Sequence, residues 1–326
     1  MKLTGAILTV AVAAFLLFPA STEASFAKVG TAGAQFLKIG MGTRGAAMGG
    51  AFVATADDAT AAYWNPACLV RVPGKQIQFA HTEWFEEIRY EAGMLSWEYP
   101  GIGTFGLQFG LLNSGDMDVT TVENPEGTGE TFNCSDMVVG VSYARMLTDR
   151  FSTGLTLKYV RESWDDVSAS GVAVDMGTLY NTGFRTLRIG MSIQHFGPEL
   201  TPSGEYTTYN SGGDSLETYE SYSLPMTFKL GLAMDVLDQG PHFMTVEVDG
   251  VHPNDNVEYV GIGGEYWYNN LVAIRGGYKI NTDEAGLTAG AGFRVPVGGR
   301  TIMLDYAYAD WNKLEMVHRA SVGFAF

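Results

Sequence analysis

The sequence predicts an all-β fold: a 14-stranded antiparallel transmembrane β-barrel of the outer membrane. Three observations carry that expectation. An export signal opens the chain. No later stretch is long and apolar enough for a spanning helix. From residue 76 onward, apolar and polar side chains alternate with a period of two.

Lys2 supplies a positive n-region, Ala6 to Phe18 form an apolar run, and Thr22 and Ala24 are small residues suited to cleavage. Residues 1–24 therefore read as a secretory signal peptide, too short and wrongly flanked for a stable membrane span; an uncleaved anchor is the alternative. No cysteine directly follows the apolar run, which excludes a lipoprotein. Charged residues make up only 17% of the chain, and Lys plus Arg number 20 against 36 Asp plus Glu. A formal charge of −16 leaves no electrostatic means of holding nucleic acid. Cys68 and Cys134 lie far apart and match no metal spacing. An exported compartment permits a disulfide between them, and the sequence does not decide it.

The strands fall near residues 76–85, 88–99, 102–113, 131–146, 151–161, 167–180, 186–196, 223–236, 243–252, 257–268, 271–281, 286–296, 300–310 and 315–326. In the strand near 300–310, Ile302, Leu304, Tyr306 and Tyr308 share one face, while Thr301, Asp305, Ala307 and Ala309 share the other. Phe228, Leu230, Leu232, Met234 and Val236 alternate in the same way with Thr227, Lys229, Gly231, Ala233 and Asp235. Tight connections follow the second, fourth, sixth, tenth and twelfth strands, whereas residues 114–130 and 197–222 form long loops. An even strand count, with short turns at one end and long loops at the other, is the outer-membrane pattern.

The apolar face suits lipid, and Trp97, Tyr99, Trp164, Tyr266 to Tyr268 and Trp311 suit aromatic girdles at its edges. The other face is rich in glycine and small polar residues. To it belong Lys158, Arg188, Lys229, Arg275, Lys279, Arg294 and Arg319, against Asp175, Asp235, Glu247, Asp249, Glu265 and Asp305. Seven bases against six acids make a nearly neutral lumen, so the negative charge belongs mainly to the long loops. A soluble β-sandwich would instead carry a solvated Lys- and Glu-rich face, where glycine weakens strands. The final strand ends on Phe324 and Phe326, on the same face, in the manner of the signal read by the bacterial barrel-assembly machinery.

Gly40, Gly42 and Gly45 spell G-x-G-x-x-G, the spacing of a dinucleotide fingerprint. Two further glycines, Gly49 and Gly50, stand where its helix would run, and no βαβ unit follows. Close backbone packing and turns with positive φ are the better use of these residues.

The stretch Phe36 to Ala67 reads FLKIGMGTRGAAMGGAFVATADDATAAYWNPA, with Asn65-Pro66-Ala67 at its end. It resembles the N-terminal signature of the PorV/PorQ family of FadL-like outer-membrane barrels, as does the run from Asn124 to Ser163. Where the family usually has NPAGL, this chain carries Cys68 in place of the glycine. The resemblance implies a barrel with an N-terminal plug (hatch) in the lumen. The chain then divides into a signal peptide (1–24), a plug segment (25–72) and the barrel (73–326). Gly40, Gly42, Arg44, Gly49, Gly50, Asp57, Asp58, Asn65, Pro66 and Ala67 form the plug motif. Among them Arg44, Asp57, Asp58 and Asn65 are expected to partner lumen charges.

Five scattered histidines and the absence of a G-x-S-x-G elbow select no catalytic residue. No metal or cofactor is predicted. The resemblance implies an accessory in export or surface attachment of secreted proteins by a type IX-like system. The expected partners are outer-membrane lipid, the assembly machinery, and secreted proteins or secretion components. The wider fold implies an alternative, a channel for a hydrophobic ligand, which calls for an apolar pocket above the plug and a kinked wall strand.

Overall fold

A computed structural model describes residues 29–210, 213–282, 286–312 and 316–326. The expected signal peptide lies outside the described residues. Alternation builds the wall: each strand turns one side chain outward and the next inward. In chain order the strands are β1 (Lys75–Glu83), β2 (Arg89–Tyr99), β3 (Gly103–Asp118), β4 (Thr131–Thr148), β5 (Phe151–Trp164), β6 (Val167–Asn181) and β7 (Arg188–Phe196). They continue with a short pair, β8 (Glu205–Asn210) and β9 (Gly213–Thr218), then β10 (Thr227–Gln239), β11 (His242–Pro253) and β12 (Tyr259–Tyr268). The last four are β13 (Val272–Ile280), β14 (Leu287–Val297), β15 (Arg300–Ala309) and β16 (Val317–Ala325).

All but β8 and β9 form one closed antiparallel barrel of fourteen strands. The seam joins β1 to β16, from Gln76 opposite Ala325 to Glu83 opposite His318. Closure leaves no sheet edge, the condition for strands to cross a bilayer with every backbone group paired. Outward positions are apolar and bare: Leu157, Leu232, Ile274, Leu304 and Tyr306 all stand exposed. A band of this kind is untenable in water and correct against lipid.

All fourteen expected strands form, with three departures in detail. β3 runs to Asp118, past a register shift between Asn113 and Asp116, and shortens the expected 114–130 loop. The expected 197–222 loop contains the β8–β9 hairpin. The sequence there is polar and lacks a run of alternating apolar residues, so its strand signal is weak. Three expected girdle residues turn inward. Trp164 and Trp267 sit at inward positions of β5 and β12, and Trp311 lines a cavity at the loop end. Parity along the strand decides direction, and aromatic identity does not. Trp97, Tyr99, Phe105 and Tyr143 do form a continuous outward ring cluster at the short-turn end.

Residues 30–72 lie inside this wall, bonded to inward side chains or backbone of β5, β6, β7, β11, β12, β14 and β16. Their regular pieces are short: α1 (Arg44–Ala47), α2 (Ala61–Trp64), and 3-10 turns at Gln35–Lys38 and Pro66–Arg71. With Phe52, Met48, Leu69 and the alanines fully buried, this inner segment is the hydrophobic core of the molecule.

Candidate functional site

The glycine-rich stretch wraps an indole. A Cβ on Gly40 would lie 2.8 Å from the Trp64 ring, and one on Gly45 would lie 2.6 Å from it. Gly42 adopts φ 84°, which an L side chain resists. Trp64 Nε1 donates to Met41 O at 3.0 Å, so the ring is held in the loop it shaped. Gly49 (φ 67°) and Gly50 (φ 78°) turn the chain after α1 and bring Met48 and Gly49 against the wall. There a Cβ on Gly277 of β13 would meet Met48 C at 2.1 Å.

The Asn-Pro-Ala motif is a cap and an anchor. Asn65 Oδ1 accepts from Ala67 N at 3.1 Å, with Pro66 at the first position of the 3-10 turn. Its amide donates to Val53 O at 2.7 Å and to the wall carbonyl Thr178 O at 3.1 Å. Cys68 takes ordinary turn geometry, fully buried, with its thiol 3.3 Å from Val53 O, so no glycine is required there. Burial pushes that thiol up to about 12. Cys68 and Cys134 are both free thiols.

Charge binds segment to wall. Arg44 is 4% exposed and donates to both oxygens of Glu265 in β12, at 2.5 and 2.6 Å. Arg275 of β13 donates to Glu265 at 2.6 Å and to Asp305 of β15 at 2.6 Å. Arg44 also pairs with Asp57 and Asp58. Burial raises the Asp57 carboxyl, but Arg44 and then Arg71 outweigh it and hold the group well below the usual carboxylate range. Of the four expected partners of lumen charges, only Arg44 reaches one. Asp57 pairs with Arg44 and Arg71, and Asp58 with Arg44 and Thr60, all within the segment, while Asn65 bonds backbone. The reason is reach: the Asp side chains are short, the Asn65 amide meets only the wall backbone at Thr178 O, and the long guanidinium of Arg44 reaches a wall carboxylate.

The thirteen wall charges expected in the lumen sit at inward positions. Glu247 accepts from Ala54 N at 2.6 Å, and Asp249 accepts from Phe52 N at 3.0 Å and Val53 N at 3.2 Å. Two β11 carboxylates thus hold the backbone where it turns at residues 52–56. Lys158 pairs with Asp175 at 2.5 Å, Arg188 with Asp235 at 2.8 Å, and Arg319 donates to Gly40 O at 2.6 Å. Arg294 donates to Asn270 and covers Trp267 at 4.1 Å. Lys229 lies 5.0 Å over Trp64, and Lys279 lies 5.7 Å from both Trp311 and Tyr259. Phe324 lies on the outward face at the end of β16, Phe326 follows the strand, and Phe326 N–H donates to Lys75 O at 2.9 Å.

Five residues of the site were not singled out by the pattern reading. Lys38 and Gln35 hold Asp255, at 2.9 and 2.6 Å, outside any strand. Gln194 donates to the carbonyl of Tyr63. His195 takes φ 61°, its N–H donating to Asp175 at 2.8 Å, where the β6–β7 register shifts between Val174 and Met176. Alternation would send His195 outward; the bulge turns it in. Gln194 was legible as an inward position, but nothing in the sequence named its partner.

The inner segment separates two spaces. A cavity of about 440 Å³ opens at the loop end, bordered by Trp64, Trp84, Trp311, Lys229, Lys279 and Arg319. Another, of about 420 Å³, opens at the short-turn end beside Asp57, Arg71 and Arg294.

A lipid-facing closed barrel filled by its own N-terminal segment defines an outer-membrane protein of FadL-like architecture. The fold is similar to the monoaromatic hydrocarbon channel CymD, at TM-score 0.60 and 14% identity over 88% of this chain and 98% of that one. It is equally similar to the toluene transporter TodX of Pseudomonas putida, at TM-score 0.60 and 13% identity over 88% and 98%. A FadL homologue of Pseudomonas aeruginosa follows at TM-score 0.53 and 11% identity, over 87% and 98%. At such identities the likeness concerns fold alone. No curated protein matches by sequence. The family described as type IX secretion system protein PorV matches residues 22–249. The chain belongs to the PorV family and is an outer-membrane barrel of the type IX secretion context.

Proposed function

We propose that this protein acts without enzymatic chemistry, as a shut barrel that receives or escorts exported proteins at its extracellular face during type IX secretion. One observation carries the reading beyond family membership. The inner segment is bonded to β5, β6, β7, β11, β12, β14 and β16, and its Arg44 ties it to Glu265 in the buried chain that ends at Asp305. Breaking such a chain is costly, because a buried charge is left without its partner. A plug so held suits a protein whose work is done by its loops. Those loops are acidic: residues 114–130 and 197–222 carry five Asp or Glu each and no Lys or Arg. The β8–β9 hairpin, with Tyr206 exposed beside Tyr219, stands in the second of them. Secretion components and secreted proteins are the proposed partners, and outer-membrane lipid surrounds the wall.

The second reading, a channel for hydrophobic compounds, has one specific support in the bulge at His195, a kink in a wall strand near its loop end. Against it stands the extracellular chamber, whose lining includes Lys38, Lys229, Lys279 and Arg319. Affinity purification from solubilised outer membranes, with protein and lipid mass spectrometry on one eluate, separates the two. Enriched exported proteins or secretion components without a stoichiometric neutral hydrocarbon are expected. A stoichiometric hydrocarbon without a protein partner would overturn the export reading.

A further inference from the structure

We infer that the extracellular chamber binds a small organic anion, a carboxylate or phosphate carried on an aromatic or otherwise apolar body. The space of about 440 Å³ adjoins a second of about 170 Å³, and Lys38, Tyr63, Lys229, Tyr259 and Trp311 border both. Chambers of this size hold small ligands. Lys229 is 7% exposed, and among the described residues its ammonium has no hydrogen-bond or ion-pair partner. It rests on ring faces instead, 5.0 Å from Trp64 and 5.9 Å from Tyr63. Arg319, also 7% exposed, lies 5.5 Å from Trp84 and gives one N–H to Gly40 O, while its Nε has no acceptor.

Cation–π contact holds a cation in place without consuming its N–H donors. The two groups are thus fixed, desolvated on one side and still able to donate. The one carboxylate among the described lining residues, Asp255, already receives Lys38 and Gln35. An oxyanion satisfies the idle donors, and the indoles of Trp84 and Trp311 offer apolar surface to the body that carries it. A neutral hydrocarbon would leave the buried donors unmet, which is costly.

The test is isothermal titration of the purified full barrel in dodecyl maltoside with phenyl phosphate and with benzoate, using benzyl alcohol as the neutral counterpart. Equilibrium binding is the right readout, because the acidic loops slow the entry of anions without changing what the chamber prefers. Both anions should bind saturably, and benzyl alcohol should not. Lys229→Gln should weaken them at least about tenfold, and Lys229→Arg should retain most of the affinity. Folding of each variant is checked by its heat-dependent migration on a gel, and Arg319→Gln serves as the second variant. Competition by phosphatidylglycerol assigns the natural anion to a lipid headgroup; its absence assigns a free solute. No saturable binding of either anion, equal affinity in folded Lys229→Gln and Arg319→Gln, or benzyl alcohol binding as well as the anions overturns the proposal. None of these results bears on protein partners, so the export reading stands or falls separately.

Discussion

Arg44 is the side chain through which the inner segment grips the wall. It touches Asp57 and Asp58 of its own segment and Glu265 of β12, and Glu265 in turn holds Arg275. Replacing it by glutamine strands Glu265 and Asp58 with reduced compensation, a loss on the order of 3–5 kcal/mol for a buried pair. Arg44→Gln is expected to show frequent conductance steps in planar bilayers where the parent shows few; a silent Arg44→Gln barrel would remove this residue from the closure mechanism. The same cluster sets a pH response. The Asp57 carboxyl is depressed when folded, so its contribution is complete above its unfolded value of about 3.9 and is lost as pH falls through the lower folded value. Conductance should stay flat from about pH 8 to about pH 5 and rise only below about pH 4.

At the scale of elements, the wall glycines make room for the segment. Gly263 and Gly277 are paired on β12 and β13, and the Met48–Gly49 turn presses on both. Valine at position 277 favours the strand itself, yet its Cβ would sit within 2.2 Å of Met48 C and Gly49 N. Gly277→Val should therefore assemble a normal barrel with a displaced inner segment. Trypsin should then cleave after Arg44 or Arg71 in the folded variant and leave the parent intact; equal protection would show that the segment accommodates the methyl groups. The strands themselves were legible because one face meets lipid and the other the packed lumen, a contrast that prints period two on the sequence. The β8–β9 hairpin was not, since its polar sequence lacks a run of alternating apolar residues. Trp164, Trp267 and Trp311 misled for the opposite reason: an aromatic near a strand end suits either a girdle or a lumen mouth, and only register decides.

For the whole molecule, the seam between β1 and β16 joins the ends of the barrel chain. Phe326 lies in it, bonded to Lys75 through its backbone and covered by Arg300 at 5.0 Å. Its ring is about half exposed on the outward face, so it adds little to the stability of a finished barrel. Phe326→Ala should lower the amount of folded protein reaching the outer membrane severalfold while leaving the unfolding temperature of the assembled fraction unchanged. A full yield would sink the assembly-signal role, and a lowered unfolding temperature would make the residue structural instead.

By itself the sequence determined the number of barrel strands, which face of each meets lipid, and the inward set of charges, because each of these follows from local alternation against two solvents. It also marked the glycine-rich segment as something other than a strand. The tertiary structure alone decided which charges meet. Arg44 finds Glu265 across 221 positions of chain, His195 turns inward at a bulge, and Lys229 and Arg319 come to rest on ring faces rather than carboxylates. Pairings of that kind depend on how a folded segment is seated inside a closed wall, and no local pattern encodes the seat.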